Sequence, residues 1–175
     1  LDDVHGQDEV ARVLRRVLID APEAPDLYAG TTPRGILLYG PSGTGKTMIA
    51  RACANESGAA FMSVTCGNMG SKWEGESERT VRVLYEYANA QGAPTIVFFD
   101  EVDSLLQIRD HSNSDVGPKV VAAFLAATDG MQKNEVITIA STNRPWAIDP
   151  SALKRFDRMI YCAPPSSVEV RGKIA

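Results

Sequence analysis

The chain has 175 residues, 44% of them apolar and 23% charged, with a formal net charge of −4. That length describes one domain with enough chain to bury a core, and the acidic balance argues against a domain whose main business is nucleic acid. No apolar run approaches a membrane span and no secretory signal opens the chain; Cys53, Cys66 and Cys162 stand far apart with no C-x-x-C pair, which argues for reduced thiols in an intracellular protein rather than a disulfide framework or zinc site. A chain that opens on Leu1 rather than Met reads as a fragment of a longer one.

Val10, Val13, Leu14, Val17 and Leu18 fall at helical spacing and predict an opening amphipathic helix. Residues 21–33 hold Pro22, Pro25, Gly30 and Pro33 and read as a loop with room for a short helical turn. A strand is expected over 35–39, a helix over about 46–57, and a second strand over about 60–65. A helix near 76–90 follows, with Val81, Leu84, Tyr85 and Ala88 on one face, and then a third strand over 95–100. The next helix is expected to start at Pro118, where proline suits a first turn, and to end before Gly130. A fourth strand over 136–140 and a short fifth over 159–161 complete the pattern. Nearly all-apolar strands separated by helices indicate an α/β fold with a parallel sheet covered on both faces. Such sheets bind ligands beyond the carboxyl ends of their strands, so the chemistry is expected just after Tyr39, Phe99 and Ala140.

The strongest chemical signal is Gly40-Pro41-Ser42-Gly43-Thr44-Gly45-Lys46-Thr47, which fits G-x-x-x-x-G-K-[ST] between a strand and a helix. Glycines let the backbone wrap phosphate oxygens, and the amides and helix start supply partial positive charge. In this loop Lys46 is expected to reach the β- and γ-phosphates of ATP and Thr47 to coordinate Mg2+, with Met48 closing the nucleotide-binding stretch. The second signal is Asp100-Glu101 at the carboxyl end of a buried strand. Asp100 is expected to hold the hydrated metal and Glu101 to orient and polarise the attacking water. Asp103 either supports this pair or caps the next segment. The third signal, Ser141-Thr142-Asn143-Arg144-Pro145, either reaches the γ-phosphate or lytic water, or is a turn built from good turn formers.

The order of phosphate loop, Asp-Glu strand, Thr142-Asn143-Arg144-Pro145 and Lys154-Arg155-Phe156-Asp157-Arg158 resembles the AAA ATPases of the AAA+ superfamily. Residues 70–78, Gly-Ser-Lys-Trp-Glu-Gly-Glu-Ser-Glu, are similar to the central-pore loop of the meiotic group, which holds katanin, spastin, fidgetin and the ATPases that disassemble ESCRT-III filaments; Pro145-Trp146-Ala147-Ile148-Asp149 points the same way. The resemblance implies a P-loop three-layer α/β fold with a five-stranded parallel sheet in the order 5-1-4-3-2. It implies that residues 1–165 are the large AAA subdomain and that 166–175 begin a helical lid, the rest of which is missing. It also implies that Asn143 is a γ-phosphate sensor, and that Lys154 and Arg155 are arginine-finger positions acting on ATP in a neighbouring subunit. Lys72 and Trp73, with Glu74 beside them, become a pore loop gripping polypeptide, although Trp73 can also be read as a core residue. His5 and Gly6 fall where family members contact adenine.

Four departures from the family pattern stand out. Ser42 replaces a second proline of the phosphate loop, and the loop's amides remain. Lys154 replaces the first finger, keeping charge but losing the planar fork. Gly117-Pro118-Lys119 stands where two arginines are usual, and Glu74 where an aliphatic or basic residue is usual. A ring of Glu74 side chains is a poor grip for acidic tubulin tails, since like charges repel. The resulting expectation is a cytoplasmic ATPase binding ATP/ADP and Mg2+ that forms a homo-oligomeric ring, a hexamer when complete. Its expected substrate is a protein filament or polypeptide, with ESCRT-III-type filaments favoured over microtubules; neither membrane insertion nor nucleic acid is expected. A nucleotide-binding assembly module with weak hydrolysis is the other reading.

Overall fold

The computed structural model describes residues 7–20, 33–66, 76–108, 116–129 and 136–164. Chain order within them is α1 (Asp8–Arg15), β1 (Gly35–Tyr39), α2 (Lys46–Ser57), β2 (Ala60–Thr65), α3 (Glu76–Ala90), β3 (Thr95–Asp100), α4 (Val116–Asp129), β4 (Val136–Thr142), the short α5 (Pro150–Leu153) and β5 (Arg158–Tyr161). The five strands form one sheet in the order β2-β3-β4-β1-β5. Every neighbouring pair is parallel. This is the expected order 5-1-4-3-2 read from the other edge.

Strand alternation builds three layers. Ile36 and Leu38 of β1, Ile96 and Phe98 of β3 and Ile139 of β4 pack with Val10 and Leu14 of α1 and Ile49, Ala50 and Cys53 of α2. Their sequence neighbours Leu37, Val97, Phe99 and Ala140 pack on the other side with Val81 and Tyr85 of α3 and Val120 and Phe124 of α4. Because both faces are covered, the central strands are apolar at consecutive positions instead of alternating. Each fully buried Leu, Ile or Phe contributes about 1.5–3 kcal/mol by leaving water.

Besides a start of β5 one residue early, at Arg158, three boundaries differ from the pattern expected from sequence. The α-helical turn geometry of the first helix ends at Arg15, and Arg16–Asp20 continue as one wider π-helical turn that buries Val17 and Leu18. Helix α4 begins at Val116, two residues before Pro118. Proline is harmless there, because amides of a first helical turn have no intrahelical acceptor to lose. Strand β4 runs through Ser141 and Thr142 instead of stopping at Ala140. Both are buried, and both hydroxyls have carboxylate partners, so the strand keeps its ladder without orphaning a polar group.

The chain after α5 is tied back onto β1. A carboxylate oxygen of Asp157 accepts hydrogen bonds from the amides of Arg34 and Gly35 at 2.8 and 3.1 Å. A Cβ at position 35 would overlap the Arg155 carbonyl oxygen, so only glycine permits this close approach.

Candidate functional site

Parallel register sets the carboxyl ends of the strands level with one another. Tyr39 pairs with Thr142, Phe99 with Ala140 and Thr65 with Asp100. The phosphate loop leaves β1 at that level and closes on Gly45, whose φ of 81° and N-cap position start α2. A left-handed backbone there favours glycine and turns the first amides of α2 toward the loop's interior.

Lys46, the first residue of α2, is buried against its own loop. Its ammonium donates to the carbonyls of Gly40 at 2.9 Å and Pro41 at 2.7 Å. Burial lowers its pKa from the ordinary lysine value, while the Cys162 sulfur, once ionised, and the Asp100 carboxylate pull the other way. Thr47 follows, and its hydroxyl donates to one Asp100 carboxylate oxygen at 2.7 Å. The second Asp100 oxygen accepts from the Ser141 hydroxyl. Thr47 and Asp100 thus present oxygen donors only, the chemistry a hard cation such as Mg2+ takes. Among the described residues no group of three or more His, Cys, Asp or Glu gathers as a metal site.

A cleft of about 380 Å³ opens over these groups, lined by residues 42–48, Asp100, Glu101 and residues 141–143. The structure therefore brings together Ser42, Gly43, Thr44, Gly45, Lys46, Thr47, Met48, Asp100, Glu101 and Asn143. Gly40 and Pro41 lie behind the lining and supply the carbonyls that hold Lys46. Glu101 is exposed, and at φ 55° it is the one non-glycine residue with positive φ among those described. Such strain in an exposed acid beside a cleft persists only where the surroundings impose it.

Asp103 is neither a partner of Asp100 and Glu101 nor a cap. It is buried and accepts from the Thr142 hydroxyl at 2.6 Å and from Arg144 Nε at 2.9 Å, with a second Arg144 nitrogen at 2.8 Å. The residues on both sides of Asn143 are therefore bolted to one carboxylate, which leaves Asn143 projecting at the cleft rim.

Lys154 and Arg155 do not line the cleft. Lys154 is exposed. Arg155 pairs with both carboxylate oxygens of Asp129, at 2.6 and 2.9 Å, and its Nε is buried without a partner. His5, Gly6, Lys72, Trp73 and Glu74 lie outside the described residues, as does the expected lid segment 166–175. Next to His5 and Gly6, Gln7 is described: its amide donates to the carbonyls of Thr44 at 3.2 Å and Ala163 at 2.6 Å, tying α1 to the phosphate loop. No local sequence signal identifies Gln7 or Asp129, which anchor the phosphate loop and Arg155; Ser141 lies in the third sequence signal, but that signal does not reveal its partners Asp100 and Glu101.

Comparison with known proteins agrees with this geometry. The family described as ATPase family associated with various cellular activities (AAA) matches residues 36–164. Protein SAV of Sulfolobus acidocaldarius is 46% identical over 171 residues, which is 94% of this chain and 22% of that protein. The cell division cycle protein 48 homolog of Archaeoglobus fulgidus is 40% identical, covering 98% of this chain and 25% of its own length. Spastin of Danio rerio is 39% identical, covering 99% and 31%. The chain thus spans less than a third of the length of these relatives.

Proposed function

The chain belongs to the AAA family of ATPases, of the katanin, spastin and fidgetin type, and from that premise we propose that it is the hydrolytic core of a ring-forming motor that remodels protein assemblies. The observation that carries the reading is the convergence of Lys46, Thr47, Asp100, Glu101 and Asn143 on one cleft at the carboxyl edge of the sheet.

The residues divide the work as follows. Amides of residues 43–47 and the Lys46 ammonium neutralise the phosphates of ATP; Lys46 exchanges its loop carbonyl acceptors for phosphate oxygens of higher charge. Thr47 and Asp100 would hold Mg2+, which supplies charge neutralisation at the phosphate oxygens. Glu101 accepts the proton of the attacking water as its oxygen approaches phosphorus. Asn143, fixed through its neighbours by Asp103, hydrogen-bonds the γ-phosphate or that water. Arg155 serves a neighbouring subunit, where a cation stabilises charge developing at the γ-phosphate, an effect of about 10³–10⁵ in rate. Its position outside its own cleft supports that assignment. Lys154 supplies charge there without a bidentate fork.

For the substrate we favour polypeptide drawn through a central pore lined by Lys72, Trp73 and Glu74, with ESCRT-III-type filaments preferred to acidic tubulin tails on the charge of Glu74. The setting is cytoplasmic; among the described residues no helix is long and apolar enough to cross a membrane. An ATPase assay on the complete protein tests the whole reading. Activity per subunit should rise with protein concentration and rise again on adding ESCRT-III-type filaments. Stimulation by microtubules alone would move the substrate to the severing class, and a flat, concentration-independent rate would remove the ring.

A further inference from the structure

We propose that Ser141 is a positioning residue of the ATPase site, its one hydroxyl setting the carboxylate of Asp100 and the backbone of Glu101 together. The inference rests on the roles of Asp100 and Glu101 given above and adds a residue they do not require.

Ser141 is the sixth residue of β4 and is 1% exposed. Since Phe99 pairs with Ala140, the parallel register brings Ser141 level with Asp100. Its hydroxyl donates to Asp100 Oδ1 and accepts the Glu101 amide at 3.4 Å. Thr47 takes the other Asp100 oxygen at 2.7 Å. Two hydroxyls, one from α2 and one from β4, therefore fix both oxygens and so the plane of this carboxylate. A carboxylate fixed at one oxygen only can still rotate about its side-chain torsion, which is broad.

The same hydroxyl bears on Glu101, whose backbone sits at φ 55° and ψ 46°. That conformation is unfavourable for any residue with a Cβ and holds only under constraint. The Ser141 hydroxyl is one such constraint, reaching the Glu101 amide from the neighbouring strand. A hydroxyl both donates and accepts, so serine can serve a carboxylate and an amide at once. Alanine at this buried position serves neither. If Glu101 relaxes to negative φ, its side chain leaves the direction from which it meets water.

The experiment compares wild type, Ser141→Ala and Glu101→Gln in the complete protein, with rates taken per nucleotide-bound site across a Mg2+ titration. Ser141→Ala should lower kcat by about ten- to hundredfold, as small misplacements at reacting centres do. KM for ATP should stay within about twofold and the Mg2+ half-saturation should rise about threefold or more, since phosphate binding is intact and metal holding is not. Wild-type kcat and Mg2+ dependence in Ser141→Ala, beside a silent Glu101→Gln, overturn this inference and leave the site reading standing. A loss confined to the fraction of sites that bind nucleotide makes Ser141 merely structural and overturns it too, as does a loss of kcat with unchanged Mg2+ dependence. Wild-type turnover by Glu101→Gln instead overturns the reading beneath it.

Discussion

Glu101 combines exposure to the cleft with a backbone that only its surroundings keep in place. Glu101→Gln preserves shape and hydrogen bonding but cannot take a proton from water. The variant is expected to bind ATP as wild type does, to stop turning over, and to hold ATP-bound oligomers together on a sizing column; turnover near the wild-type rate would show that another group orients the water. Cys53 yields a prediction of a different kind. Burial, with Glu56 adding to it, pushes its thiol up to about 12 from an ordinary value of 9.0. Between those values the unfolded chain loses a proton that the native protein keeps, so stability falls as pH rises above 9. Melting temperature should drop across that window, and Cys53→Ala should flatten the slope; a slope unchanged in the variant would assign the loss to other groups. The gathering of Lys46, Thr47, Asp100 and Glu101 at one cleft was legible in the sequence because its signals are local: the motif of residues 40–47 between a strand and a helix, and an acidic pair at the end of a strand. The partners of Ser141 and Gln7 were not, since they lie 40 and 41 residues away in one case and 37 and 156 in the other.

Strand β4 and the 3₁₀ turn of residues 102–104 form one unit through Asp103. Asp103→Ala removes a buried acceptor and leaves the Thr142 hydroxyl proton without one, although that oxygen still accepts from the Arg144 amide at 2.9 Å, a loss of about 1–3 kcal/mol. Urea unfolding should show that loss, and turnover should fall more than ATP affinity, because Asn143 loses the anchors on both sides of it. Equal loss of binding and turnover would mean that the phosphate loop, not the Asn143 segment, depends on Asp103. Most element boundaries were legible because glycine, proline and apolar periodicity punctuate them: β1, α2, β2, α3 and β3 begin and end at the expected residues. The overrun of β4 was hidden for a physical reason. Ser141 and Thr142 look like turn formers until carboxylates from the adjoining segment are there to receive their hydroxyls. Asp103 was ambiguous for the same reason, its partners being supplied by a strand about forty residues later.

On the proposed function Arg155 belongs to the scale of the assembled molecule; it stands outside its own cleft and is held by Asp129. Mixing Arg155→Ala subunits with Glu101→Gln subunits should restore part of the activity that each lacks alone, since some boundaries then join an intact Glu101 to a neighbour's intact Arg155. No recovery at any mixing ratio would place the action of Arg155 within its own subunit. A parallel sheet covered on both faces was legible from the alternation of strands and helices and its strand order from the family resemblance, whereas the pairing of Arg155 with Asp129 was not, because it joins α4 to the turn after α5 without a shared motif. Strand β1 links these matters. At its start Gly35 lies against the Arg155 backbone and Asp157 grips two amides, and at its end the phosphate loop begins. Five residues of strand are about 17 Å of stiff backbone. Mechanically, on the function proposed above, β1 would be a strut between the site a subunit owns and the group it lends next door. A push on the phosphate loop would then reach Arg155 along a nearly inextensible rod, and in the proposed ring such rods and sites would alternate as links in series, so that a stroke in one subunit would load the next.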